Sequence, residues 1–191
     1  MADVTTGKAV AVLFTDGVER SELMEPLDAL RAAGYQVDLI SVHDGQAQTV
    51  EHGDKADTVA IDKTVDQADA DEYHGLVLPG GVYNADKLRM NERAVSFVRE
   101  SFVAGVPIAV ICHGPWIMVE AGVVRGLTMT SYPSLKTDIR NAGGTWVDRQ
   151  AIVDRAVVSS RNTDDLPAFC TQMTRLFALG RQQNERVGMA A

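Results

Sequence analysis

Cys112 and His113 are the residues in this chain with the clearest chemical reach. They close a β-branched, apolar run at residues 106–111, and Gly114 and Pro115 follow at once. Beyond Pro115 the apolar residues of 116–121 take helical spacing. Pro115 suits a first helical position, because its missing N–H would have had no partner there. Cys112 is therefore expected in a sharp strand-to-helix turn, a nucleophile elbow with sulfur as the attacking atom. The positive end of the helix dipole should bias the thiol toward thiolate, the reactive form. In a tight turn neighbouring side chains can meet, so His113 could serve as the base. The plainer alternative is that Cys112 is a small packed hydrophobe.

Positioning those two residues requires a scaffold, and the rest of the chain supplies it. Residues 8–14 and 75–78 are further apolar strands. The first ends in a Thr15-Asp16-Gly17 turn and the second in Pro79-Gly80-Gly81. The glycines allow backbone N–H groups to approach a neighbour closely. A helix starts at Glu19 or Ser21, runs through Leu23, Leu27 and Leu30, and stops at Gly34; a strand follows at residues 36–41. Residues 46–65 suggest a small hairpin or an irregular excursion with a strand at 58–61, and residues 82–87 a loop. Asn91 caps a helix ending at Gly105. Short strands are expected at 127–130, 145–148, 151–154 and 156–160, with helices from Pro133 and over 166–179, the latter capped by Asp164-Asp165. Strands alternating with helices predict a mainly parallel α/β sheet. Its site should lie beyond the carboxyl ends of the strands, where the 15–19, 80–81 and 112–113 segments converge.

The chain has 191 residues, which suits a single domain with a core over about 8–180 and a polar tail at 181–191. A net charge of −8 argues against a nucleic-acid surface. The longest apolar runs are too short for a membrane span, and residues 1–6 lack the features of a signal peptide, so a cytoplasmic location is expected. The two cysteines, Cys112 and Cys170, are not expected to form a structural disulfide there. No Cys or His pair has zinc-ligand spacing, so neither metal nor cofactor is expected.

Several stretches together resemble the PfpI family of intracellular cysteine proteases and deglycases, within the class I glutamine-amidotransferase-like superfamily. They are Glu19-Arg20-Ser21-Glu22-Leu23, Leu78-Pro79-Gly80-Gly81, Leu88-Arg89, Ile111-Cys112-His113-Gly114-Pro115, Ser131-Tyr132-Pro133 and Asn141-Ala142-Gly143. The resemblance implies a flavodoxin-like three-layer sandwich with Cys112 as nucleophile and His113 as its partner. It implies an acidic third residue from a neighbouring subunit, which matches Asp86, and hence at least a homodimer. A helix N-cap is the other role open to Asp86. The backbone N–H groups of Gly81 and His113 would form an oxyanion hole. Glu19 would face the cysteine as a proton donor, and the backbone at Gly80 and Gly114 would meet substrate.

Three activities fit these residues. The first is a deglycase or glyoxalase III-like enzyme that converts methylglyoxal or its adducts on amines and thiols to a hydroxy acid. The second is an intracellular peptidase using the same nucleophile. The third is a non-enzymatic redox sensor in which Cys112 takes up oxygen. Amidotransfer is disfavoured, because residues 162–165 carry no histidine.

Overall fold

The computed structural model describes residues 7–181. The expectations for residues 1–6 and for 182–191 of the tail lie outside them. In chain order the strands are β1 (Ala9–Leu13), β2 (Val18–Glu19), β3 (Gln36–Ser41), β4 (Gln46–Glu51), β5 (Asp54–Ala60), β6 (Lys63–Thr64), β7 (Gly75–Leu78), β8 (Ile108–Ile111), β9 (Thr128–Met129), β10 (Thr145–Trp146), β11 (Ala151–Asp154) and β12 (Val157–Ser160). The helices are α1 (Arg20–Ala32), α2 (Val82–Arg89), α3 (Glu92–Val103), α4 (Pro115–Glu120), α5 (Lys136–Asn141) and α6 (Leu166–Leu179).

Seven strands form the central sheet in the order β11-β12-β8-β7-β1-β3-β6. The pairings from β12 to β6 are parallel, and β11 closes the edge antiparallel to β12. Alternation along each strand sends side chains to opposite faces. Ala11, Leu13, Leu76, Leu78, Ile108 and Val110 meet Phe97, Val98, Ile117 and Met118 on one side. Val10, Val12, Val77, Ala109, Ile111 and Val158 meet Leu23, Leu27, Phe169, Met173 and Phe177 on the other. Both faces are covered, which is why the central strands read as unbroken apolar runs. This is the expected flavodoxin-like three-layer α/β fold.

Three local expectations change. Residues 82–87 are not a loop but the body of α2, held by the buried residues Asn84, Ala85 and Leu88. The helix begins after Gly81, so Asp86 lies mid-helix and cannot be an N-cap. The hairpin lies within the expected residues 46–65, but its second strand starts at Asp54 rather than 58, and the pair joins β2 in a separate sheet of order β2-β4-β5. Asp165 precedes α6 without capping it, because its carboxylate takes two hydrogen bonds from Arg161 at 2.8 and 3.0 Å.

Candidate active site

Because β8, β7 and β1 are neighbours, the segments leaving their carboxyl ends meet at one place. Cys112 sits directly after β8 at φ 60°, a left-handed conformation unusual for a residue with a side chain. Its N–H donates to the Ser160 carbonyl at 3.1 Å, and its own carbonyl accepts from Tyr132 N–H at 2.9 Å. Those two bonds hold the strained backbone, and Pro115 opens α4 as expected. Cys112 is 8% exposed, and its sulfur is not sealed among apolar groups.

His113 Nδ1 lies 3.2 Å from the sulfur, and its Nε2 lies 3.2 Å from Ser134 Oγ. The ring stacks on Tyr132 with centroids 4.7 Å apart and meets Trp116 edge-on at 5.4 Å. Burial lowers the histidine's pKa and favours the neutral imidazole. The N–H groups of Gly81 and His113 face the sulfur and favour its charged form.

The acid beside the thiol is Glu22, not Glu19. Glu22 is almost fully buried on α1, bonds the sulfur with its carboxyl group and accepts from Gly80 N–H at 2.9 Å. Burial pushes its pKa up to about 8, with the nearby charges of Glu19 and Glu51 adding to the rise. Glu19 ends β2 instead, and its Oε1 accepts from His52 N–H at 3.0 Å. The physical reason is helical phase. Glu22 shares the inward stripe of Leu23, Pro26, Leu27 and Leu30, whereas Glu19 precedes the helix.

The expected bias of Cys112 toward thiolate is also revised. Burial and the adjacent Glu22 carboxylate push the thiol up, and the N–H groups of Gly81 and His113 only partly oppose them. The pair behaves as one unit: when Glu22 holds the proton it removes a neighbouring charge and can donate to the sulfur.

At the two glycines expected to meet substrate the backbone is closely packed and its N–H groups are already bonded within the chain. A Cβ on Gly80 would collide with Glu22 and lie 2.6 Å from Cys112 Cβ, and its N–H is already used. A Cβ on Gly114 would lie 2.5 Å from the Leu78 carbonyl, and its N–H donates to Ile111 at 2.9 Å. Their smallness permits close packing of the elbow on the sheet. Asp86 is exposed on α2 and makes no contact with His113 within the chain. Asn84, Ser134 and Glu22 also lie at the site, and of the three only Glu22, in phase with the apolar face of α1, carries a signal in the sequence.

The sequence profile described as the DJ-1/PfpI family matches residues 8–176. "Protein/nucleic acid deglycase 2" of Escherichia coli (strain K12) is 39% identical over 88% of this chain and 97% of its own length. "Deglycase PfpI" of Pyrococcus furiosus is 39% identical over 87% of this chain and 98% of its own. The crystal structure of Drosophila melanogaster DJ-1beta aligns at a TM-score of 0.82 and 25% identity, covering 90% of each chain. The chain belongs to the DJ-1/PfpI family. No helix among the described residues is long and apolar enough to cross a membrane.

Proposed function

We propose that this protein is a cysteine-dependent deglycase acting on small reactive carbonyls and their adducts on amines and thiols. The carrying observation is the convergence on one sulfur of His113 Nδ1 at 3.2 Å, the Glu22 carboxyl and two backbone N–H groups. Deglycases about two-fifths identical over nearly the whole chain support it.

An adduct first releases its amine or thiol, which takes the carbinol proton as the C–N or C–S bond breaks and the aldehyde re-forms; the sulfur then attacks the aldehyde carbon of methylglyoxal. A C–S bond forms, and the carbonyl electron pair moves to oxygen, where the Gly81 and His113 N–H groups can hold the charge. His113 accepts the thiol proton, and Glu22 returns a proton to the oxygen. Transfer of a proton from the first carbon to the second through an enediol gives a thioester. Water then cleaves the C–S bond, releasing lactate and the free thiol. One methylglyoxal and one water are consumed, and nothing external is oxidised or reduced. With both sulfur and imidazole nearly enclosed, a small carbonyl fits better than a folded polypeptide.

The assembly is part of the same proposal. No carboxylate among the described residues contacts His113, while Asp86 is exposed between Tyr83 and Met90, both more than half exposed on or beside α2. That face would pack on a second copy in a cytoplasmic homo-oligomer and carry Asp86 to the partner's site. The test is lactate formation from methylglyoxal by wild type and by Cys112→Ala. Undiminished turnover in the variant would overturn the mechanism.

A further inference from the structure

We propose that Asn84 is a positioning residue that aims the donors facing Cys112 and Glu22. This rests on the assignment of Cys112 as nucleophile. Asn84 lies on α2, is fully buried, and uses every polar atom of its carboxamide. Its Oδ1 accepts from Thr15 N–H at 2.7 Å, and its Nδ2 donates to the carbonyls of Pro79 at 3.1 Å and Gly80 at 2.9 Å.

Those two carbonyls belong to the peptide units whose N–H groups serve the site. The Pro79 carbonyl and the Gly80 N–H share one plane, and the Gly80 carbonyl and the Gly81 N–H share the next. Across a trans peptide the C=O and N–H point in opposite directions. Anchoring each oxygen on Asn84 therefore turns the Gly80 N–H onto Glu22 at 2.9 Å and the Gly81 N–H onto the sulfur. Glu19 N–H gives the Gly80 carbonyl a second, longer bond at 3.3 Å. Gly81, at φ 89°, cannot hold this orientation by side-chain sterics, so the restraint must come from outside the loop. One side chain on a rigid helix thus sets two donors and ties them to the end of β1. The bond to Thr15 fixes the carboxamide's own orientation, since only one flip satisfies all three partners.

The ionisable groups around the sulfur are Glu22 from α1 and His113 from the elbow, with Glu19 and Glu51 acting on Glu22. Below pH 8 Glu22 mostly holds its proton, so freeing the Gly81 N–H should act mainly at the sulfur and make it harder to ionise.

The experiment measures alkylation of Cys112 by iodoacetamide against pH in wild type, Asn84→Ala and Asn84→Asp, with Cys170 in the same chain as reference. Asn84→Asp keeps the shape and the acceptor for Thr15 but loses donation to both carbonyls. The expected result is a Cys112 profile moved up by about one pH unit, with Cys170 unmoved. Carbonyl turnover should show kcat reduced about tenfold or more and KM changed less than about twofold. An unmoved profile accompanied only by a lower melting temperature would overturn the proposal. So would failure of Asn84→Asp to fold, which would make the carboxamide a folding element. Alkylation needs no carbonyl turnover, so a wild type that forms no lactate would fail the proposed reaction and still leave Asn84 tested.

Discussion

The two cysteines of this chain share an ionisation tendency and almost nothing else. Burial pushes Cys170 up to about 11, with Glu25 adding to the rise, and burial with Glu22 pushes Cys112 up as well. Cys170 sits inside α6, where regular helical geometry commits the neighbouring backbone to its own hydrogen bonds. Cys112 sits at a left-handed elbow that brings free N–H groups, an imidazole and a proton-bearing carboxyl onto its sulfur. A perturbed thiol is therefore not what marks the site. The surrounding groups that can take, give or stabilise charge are what separate one cysteine from the other.

The sharpest way to break this contrast is replacement. Cys112→Ala should lower carbonyl turnover by roughly 10³-fold or more, while Cys170→Ala leaves it unchanged. Lactate release by both variants is the measurement. Next in size is the acid: Glu22→Gln keeps the shape but cannot transfer a proton, and should reduce kcat by about 10²-fold. Glu19→Gln should cost far less, which steady-state kinetics would show. Mild peroxide sharpens the comparison again. Cys112 should take up oxygen at least about tenfold faster than Cys170, followed by peptide mass analysis, because Glu22 can donate to the oxidised sulfur. Equal rates would remove the basis for any redox role. Asp86→Asn should lower kcat about tenfold only if it serves a partner's His113. Full activity in a monomer by sedimentation would exclude that cross-subunit role.

The smallest effect concerns stability. Glu22 keeps its proton in the folded chain up to about 8, whereas an unfolded glutamate releases it near 4.5. Across that interval the folded state binds more protons, so this group's contribution to stability falls as pH rises. Glu22→Gln lacks the dependence. Its melting temperature relative to wild type should climb by a few degrees from pH 5 to pH 8, read by thermal unfolding.

Much of this was legible without coordinates. The apolar runs ending in Pro79-Gly80-Gly81 and in Cys112-His113-Gly114-Pro115 located the converging strand ends, and Pro115 located the start of α4. The resemblance points to Glu19 as the acid, whereas helical phase points to Glu22. Glu22 falls on the stripe Leu23, Pro26, Leu27 and Leu30, and a carboxylate in phase with an apolar face was itself a signal. Asn84 gave no such signal, because residues 82–87 have weak helical preference and α2 persists through packing.

The amino-acid order by itself determined the layered sheet, the bend at Cys112 and the pairing with His113, since these depend on contacts between neighbours and on the periodicity of apolar residues. Which carboxyl reaches the sulfur, which glycines are filled by packing, and how Asn84 grips two peptide planes were decided only in three dimensions. Those contacts join residues dozens of positions apart, and their geometry depends on how helices seat on the sheet, which no local pattern encodes.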